Sequence, residues 1–280
     1  MGENSGVEWT AYEDAKGNMV PGFTFNPWAG CTHVSEGCKF CYAERDQKRF
    51  KFVEWGRGQP RRKTSDAYWK QPRAWNRKAE RDGTRPRVFC ASWADVFDPE
   101  IPAAWRKELW ALIEATPNLQ WLILTKRPEN FQTMLPDGWL SGWPNLALGV
   151  TAENQAMADK RIPLLLDIPA KTRFVSCEPF LGPVDLTAID EGDRVLYPLM
   201  GLQAIEGRGH ATSPAIDWVI CGGESGPGRR PMDLHWARDL RIQCGLASVP
   251  FFFKQIDKKQ PIPPDLMVRE WPRSDGSENG

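Results

Sequence analysis

Residues 87–125, RVFCASWADVFDPEIPAAWRKELWALIEATPNLQWLILT, contain two short apolar runs with a helical pattern between them. The runs at residues 87–91 and 121–125 have the length and composition of buried parallel strands. Between them, residues 101–116 place Pro102 in a first turn and set Trp105, Leu109 and Leu112 on one helical face. This stretch therefore predicts two parallel strands joined by a crossover helix.

The same alternation continues along the chain. Further strand-like runs cover residues 146–151, 173–177, 218–221 and 251–254, and helical patterns cover residues 42–52, 67–80, 154–166 and 233–247. The alternation predicts an α/β fold built as a TIM-like (β/α) barrel or partial barrel, and a doubly wound sheet is the competing arrangement.

The chain reads as one domain over residues 1–270. Residues 185–215 are long, mixed in character and Gly-containing, which predicts an insertion or lid between strands. Residues 271–280 read as a mobile tail, because residues 273–280 are polar and rich in Gly and Ser.

Composition excludes several classes of protein. Lys plus Arg and Asp plus Glu both number 36, so no global field draws the chain to nucleic acid or to an anionic membrane, and any nucleic-acid contact must come from a local patch. The longest apolar runs are strand-sized, so no membrane span is expected. The N-terminus lacks a basic region followed by an apolar one, so we expect a cytoplasmic protein.

Three of the seven cysteines are crowded together. Cys31, Cys38 and Cys41 have the spacing C-x6-C-x2-C, and a glycine directly precedes each of the first two. Three thiolates can hold three irons of a four-iron cluster and leave the fourth iron open to a ligand. The other four cysteines stand singly in apolar surroundings, which is typical of small buried thiols.

Two other interpretations of the cysteine loop stay open. A structural zinc site needs four ligands, and His33 or Cys90 could supply the fourth. The three cysteines could also be free buried thiols.

Polar residues follow the predicted strands. They are Ser92 and Asp95; Lys126 and Arg127; Thr151, Glu153 and Asn154; Glu178; Gly222, Gly223 and Glu224; and Lys254. Because the carboxyl ends of parallel strands meet at one rim, we expect these residues to form one site. The alternative is that polarity simply resumes where each strand leaves the core.

Cationic residues near the predicted strand ends favour an anionic substrate, either a small molecule or a nucleotide-like compound. They are Lys126, Arg127, Arg229, Arg230 and Lys254. Ordinary surface charge is the alternative. The chain also has 14 tryptophans, which serve as core bulk more often than as stacking platforms for bases.

The cysteine loop resembles the cluster-binding loop of radical S-adenosylmethionine enzymes. Their usual spacing is C-x3-C-x2-C with an aromatic residue before the last cysteine, here Phe40; the first interval of this chain is six residues instead of three. More closely, the chain resembles a phage and bacterial three-cysteine-motif family of uncharacterised function over about residues 7–256. The matching stretches are FNPWAGC at 25–31, GCKFCYAE at 37–44, LTKRP at 124–128, LGVTAEN at 148–154, CEPFLGP at 177–183, CGGESGP at 221–227 and PFFFKQ at 250–255.

The resemblance implies a [4Fe-4S] cluster on the three cysteines, bound S-adenosylmethionine, reduction by a partner protein and hydrogen abstraction from substrate by a deoxyadenosyl radical. It implies that Ser92 and Asp95 accept bonds from the methionine amino group and that Glu153 and Asn154 bind the ribose. Asn154 could instead be a helix N-cap.

Other residues of the rim are also expected to contact the cofactor. Thr151, Glu178 and the Gly222-Gly223-Glu224 turn are assigned to it by their positions after the strands, since a Gly-rich turn admits close backbone approach. The rival functions are a non-catalytic zinc protein that contacts nucleic acid or a protein partner, and an iron–sulfur redox module that does not use S-adenosylmethionine.

Overall fold

Seven parallel strands form the central sheet of the computed structural model, which describes residues 5–272. In chain order they are Phe23–Phe25, Arg87–Cys90, Gln120–Thr125, Leu146–Thr151, Thr172–Cys177, Trp218–Gly222 and Phe251–Gln255, called here the first to the seventh strand. Each strand pairs with the next one in the sequence, and every pairing is parallel. A doubly wound sheet would reverse its strand order part-way, so the predicted partial barrel is confirmed.

Helices and short antiparallel strands surround the sheet. The helices are α1 (Tyr42–Phe50), α2 (Asp66–Trp69), α3 (Gln71–Asp82), α4 (Ala103–Glu114), α5 (Phe131–Met134), α6 (Gln155–Leu166) and α7 (Leu234–Leu246). The antiparallel pieces are Tyr12–Glu13 with Met19–Val20, Trp28–Ala29 with Arg62–Lys63, and a meander of Ile189–Asp190, Arg194–Tyr197, Leu202–Ile205 and Gly209–Thr212. No helix within residues 5–272 is long and apolar enough to cross a bilayer.

The strands alternate their side chains between two cores. Phe89, Phe174 and Trp218 belong to a small cluster around Trp9 on the inner face, whereas their neighbours in sequence join the large core under the helices. The Trp9 ring lies 4.6 Å from the ring of Phe89 on the second strand and 6.1 Å from that of Trp218 on the sixth. In a flat sheet, strands four places apart would be separated by about 19 Å. The sheet therefore curves around Trp9 into a half-barrel.

Close packing on the inner face requires a glycine in the fourth strand. A Cβ atom at Gly149 would lie 2.4 Å from the ring of Phe174 on the neighbouring strand. The missing side chain thus lets Phe174 fill the bottom of the half-barrel, which leaves the upper part of the inner face for polar residues.

Element boundaries differ from the predictions in a few places. The helix predicted at residues 67–80 is two helices, α2 and α3, and α3 begins with Gln71 and Pro72. The first strand, Phe23–Phe25, was not predicted, because three residues are too few to show an alternating pattern. Sheet pairing with the second strand defines it.

The predicted insertion contains the four-stranded meander, which lies between the fifth and sixth strands in sequence. Leu196 and Leu199 are buried in the outer core, and Arg194 forms an ion pair with Asp167 just after α6. That position is remote from the carboxyl ends of the strands, since α6 runs away from them.

Residues 271 and 272, at the start of the predicted tail, are the last residues that the structure describes. Trp271 donates its indole N–H to the Trp9 carbonyl over 3.0 Å and stacks edge-on against Phe252. Residues 273–280 lie outside the described residues.

Candidate functional site

A cavity of about 530 Å³ opens at the carboxyl ends of the strands. Residues from or just after all seven strands line it, beginning with Asn26 after the first strand and ending with Lys254 on the seventh. The predicted residues that line it are Cys31, Cys38, Cys41, Ser92, Asp95, Lys126, Arg127, Thr151, Glu178, Gly223, Glu224 and Lys254. The rim expected from the strand pattern therefore forms one cavity.

The three cysteines form one wall of this cavity. Cys31, Cys38 and Cys41 are free and half-buried. The loop that carries them leaves the short strand Trp28–Ala29, makes a 3₁₀ turn at Glu36–Cys38 and ends at Cys41, the N-cap residue of α1. The two glycines in the loop, one before each of the first two cysteines, sit where a side chain would collide with a neighbour.

Two arginines hold the loop through Thr32. Arg61 is buried and donates to the Thr32 hydroxyl over 2.7 Å, while it pairs with Asp98 at 2.8 Å. Arg127 donates to the Thr32 carbonyl over 2.8 Å from the opposite side. The loop is thus fixed by side chains that lie far from it in sequence.

Arg127 also contacts a cysteine sulfur. Its Nη1 lies 3.4 Å from Cys31 Sγ and 3.2 Å from Asp95 Oδ2. Burial raises the pKa of the Cys31 thiol to about 12 with a smaller contribution from Asp95, and the Arg127 charge opposes this shift. Burial likewise raises the pKa of Cys41. The arginine is the group that favours a thiolate at Cys31.

Glu153, which was predicted to bind the ribose, lies behind the loop and does not line the cavity. Its carboxylate is fully buried and pairs with Arg161 at 2.6 Å. Burial alone would raise the pKa of Glu153, but the charges of Arg161 and Lys126 outweigh it and hold the pKa below its usual value. The sequence placed Glu153 after the fourth strand correctly, but its side chain turns towards α6 instead of the cavity.

Gly37 rests directly on this carboxylate. A Cβ atom at Gly37 would lie 2.9 Å from Glu153 Oε1 and 3.0 Å from its Cδ. Because Arg161 fixes Glu153, the loop can approach this closely only without a side chain at residue 37.

We therefore expect Gly37→Ala to displace the cysteine loop and to cost about 1–3 kcal/mol of folding stability. The amount of iron bound per chain after anaerobic reconstitution should also fall. The measurements are thermal unfolding and iron content per chain. Gly245→Ala is the control, because a Cβ atom there meets nothing within 4 Å, and an equal effect of both substitutions would contradict the contact.

The residues after the second strand bond to one another. Ser92 Oγ bonds the side chain of Asn26, which is buried and also accepts from the Trp93 N–H. Asp95 accepts from the Thr125 hydroxyl, the Lys126 N–H and Arg127, besides the Phe97 N–H. Both oxygens of Asp95 accept hydrogen bonds from the protein and hold the end of the third strand; its proposed contact with a methionine amino group stays a prediction.

Lys126, Thr151 and the pair Glu178–Lys254 project into the cavity from successive strands. Lys126 Nζ lies 3.3 Å from the Thr151 hydroxyl and forms no ion pair with any carboxylate among the described residues. Glu178 and Lys254 pair at 2.5 Å across the cavity, and both remain partly exposed. Of the five predicted cations, Lys126 is therefore the one without an ion pair to a described carboxylate; Lys258, which also lines the cavity, forms none either.

Four predicted residues besides Glu153 do not line the cavity. Asn154 accepts from the Met157 N–H as the N-cap of α6. Arg229 pairs with Asp257, and Arg230 pairs with Glu224 at 2.5 Å. Gly222 ends the sixth strand and does not reach the lining, whereas Gly223 and Glu224 do.

Other lining residues were not predicted. They are Asn26, Tyr42, Trp55, Ser176 and Lys258, among others. Of these, only Ser176 could have been predicted from the sequence, because the period of two places it on the same face of the strand as Phe174 and Glu178. The others lie on loops whose course only the fold reveals.

The chemistry of the donor set fits an iron–sulfur cluster. Within residues 5–272, no three His, Cys, Asp or Glu side chains gather closely enough to hold one metal ion. A cluster distributes its thiolates over separate irons, so it does not need them at one point. The two residues considered as a fourth zinc ligand have other surroundings. Cys90 is buried in the outer core, and His33 forms a hydrogen bond with Glu44 at 2.7 Å.

Comparison with known sequences gives one family. A family model described as "Protein of unknown function (DUF5131)" matches residues 4–276. The chain belongs to this family. No curated protein matches the sequence.

Two solved structures resemble this DUF5131 protein. One is a spore photoproduct lyase double mutant with bound AdoMet and dinucleoside spore photoproduct, at TM-score 0.41 and 16% identity over 56% of this chain and 45% of that chain. The other is spore photoproduct lyase complexed with dinucleoside spore photoproduct, at TM-score 0.45 and 13% identity over 79% and 60%. The chain spans less than two thirds of the length of either.

Proposed function

We propose that this protein is a radical S-adenosylmethionine-type enzyme that carries a [4Fe-4S] cluster on Cys31, Cys38 and Cys41. The single observation that supports the proposal is that the three free thiols of one loop line the same deep cavity as polar residues from all seven strands. A three-thiolate cluster leaves one iron open, and a reactive centre with an open position belongs in such a cavity.

When bound and reduced by an external protein, such a cluster supplies the electron that splits S-adenosylmethionine and starts radical chemistry. The protein itself positions the cysteine loop and keeps water out of the cavity from below. Arg61 and Arg127 hold the loop by its Thr32, and Gly37 sets the loop against Glu153. The apolar cluster around Trp9 closes the bottom of the half-barrel and excludes water from below.

The substrate side of the cavity suits an anion. Lys126 projects from the third strand without a paired carboxylate among the described residues, whereas Arg127, Lys254 and Arg230 are each paired with an acid. We infer that Lys126 binds a carboxylate or phosphate oxygen and that Thr151 orients its ammonium group. The proposed substrate is a small anionic or nucleotide-like molecule.

Arg127 is proposed to tune the potential of the cluster. A cation that donates a hydrogen bond to a ligating sulfur favours the reduced, more negative form. Arg127→Met is therefore expected to make the midpoint potential more negative, and Arg127→Lys should give an intermediate value because it keeps the charge. Redox titration followed by electron paramagnetic resonance measures the shift, and an unchanged potential in fully iron-loaded Arg127→Met would contradict the role.

The decisive experiment uses the wild-type chain purified without oxygen. The protein should be brown and should contain iron and acid-labile sulfide near four of each per chain. Addition of dithionite and S-adenosylmethionine should then release deoxyadenosine and methionine. Colourless protein with stoichiometric zinc would instead support a non-catalytic zinc protein, and a cluster that yields no deoxyadenosine would support a redox module.

A further inference from the structure

Positive charge is concentrated in one part of a neutral chain. Residues 39–63, called here the basic segment, contain nine Lys and Arg against three Asp and Glu, although the whole chain has 36 of each. Its exposed cations are Lys39, Arg45, Lys48, Arg49, Lys51, Arg57 and Arg62. Arg61 is the buried exception and pairs with Asp98. Because the whole chain is neutral, any contact with a polyanion requires a local positive patch. The basic segment supplies such a patch.

Residues 41–56 of the basic segment are attached to the cavity wall at both ends. It leaves the wall at Cys41, which begins α1, and it returns at Gly56, whose N–H donates to the Cys31 carbonyl over 3.0 Å. The nine residues of α1 span about 13 Å. Residues 41–56 of the segment thus begin and end against residues that line the cavity.

Aromatic side chains are interleaved with these cations. Phe50 is 61% exposed and Tyr42 is 39% exposed, and Trp55 lines the cavity. Arg62 lies over the ring of Phe52 at 4.2 Å. Exposed aromatic rings are costly on a surface without a partner, but bases stack on them.

Part of the positive charge has no acidic partner. Lys48 pairs with Glu44 and Arg45 with Asp46, whereas Arg49, Lys51 and Arg57 form no ion pair with any described residue. Cations of this kind are free to neutralise phosphates, and each such contact releases bound counterions from the polymer.

We propose that the basic segment binds single-stranded nucleic acid, with Arg49, Lys51 and Arg57 on phosphates and Phe50 and Trp55 against bases. Binding of the nucleic acid needs only this surface. The inference that the bound nucleic acid delivers a nucleotide to the cavity rests on the proposed function. An acidic peptide without aromatic side chains would meet the same cations, but it could not stack on the exposed rings. The aromatic residues therefore favour nucleic acid.

The test measures binding of fluorescent single-stranded DNA and RNA oligonucleotides by anisotropy at two or more salt concentrations. Arg49→Glu, Lys51→Glu and Arg57→Glu together should weaken binding at least about tenfold and reduce the slope of log affinity against log salt by about 2–3. Phe50→Ala with Trp55→Ala should weaken binding to the ordinary oligonucleotide but not to an abasic one of equal charge, because only stacking is lost.

The matched control reverses three exposed cations outside the basic segment, Lys78, Lys160 and Lys171, which form no ion pairs among the described residues. It should leave binding unchanged. Equal loss in both triple variants, equal affinity for polyglutamate, or no binding by the wild-type chain would overturn the proposal. Iron content and deoxyadenosine release, measured on the same preparations, report separately on the proposed function, since neither requires nucleic acid.

Discussion

Replacing Cys31, Cys38 or Cys41 by alanine is expected to remove the cluster and to lower deoxyadenosine release by more than about 100-fold. Loss of an outer partner of a metal ligand costs 10–100-fold, so loss of a ligand should cost more. All three thiols line one cavity, and each is proposed to hold a separate iron. Iron and sulfide content, visible absorption and product release are measured on anaerobic protein.

Cys244→Ala is the control for these variants. Cys244 is fully buried in α7 and does not line the cavity. It should keep its iron and its product release, although its stability can fall slightly because a buried sulfur is lost. Retention of iron in all three single variants, with Cys244→Ala unchanged, would refute the assignment of the ligands.

Arg161→Met is expected to cost about 3–5 kcal/mol of folding stability, the largest loss for a single polar contact behind the site. Arg161 and Glu153 are buried together at 2.6 Å, and Arg161 also donates to the Thr151 carbonyl at the end of the fourth strand. Removing the arginine leaves an uncompensated carboxylate in a low-dielectric interior. Urea unfolding followed by circular dichroism gives the free energy.

Two further variants test the cause of that loss. Arg161→Met combined with Glu153→Leu should recover most of the stability, since replacing both members of a buried pair by apolar residues is often neutral. Arg194→Met removes a partly exposed arginine from Glu191 and Asp167 and should cost no more than about 1 kcal/mol. If Arg161→Met cost as little as Arg194→Met, Glu153 would not depend on its partner.

Positions on the strands or one residue beyond them were predictable because they follow a period of two. Lys126, Thr151, Glu178 and Lys254 all line the cavity, since each continues the inner-face alternation of its strand. The cysteine loop was also visible, because three thiols crowded into eleven positions need a common purpose.

Residues two or more positions beyond a strand were less predictable. Glu153 and Asn154 leave the fourth strand as expected, but one is drawn under the cysteine loop by Arg161 and the other caps α6. Arg229 and Arg230 lie near the rim, yet acidic neighbours occupy them. The sequence does not reveal these ion-pair and hydrogen-bond partners, because the orientation of a side chain beyond a strand end depends on the residues that pack beside it.

Local periodicity and spacing were enough to predict six of the seven parallel strands, the polar residues that follow them and the grouping of three thiols, because these features depend on residues close together in the chain. Three contacts could not be predicted from the sequence. Thr32 accepts hydrogen bonds from Arg61 and Arg127, and Gly37 rests on Glu153. Lys126, unlike the other predicted cations, forms no ion pair with a described carboxylate. These contacts join residues many positions apart, and their geometry exists only once the curved sheet brings its strand ends together.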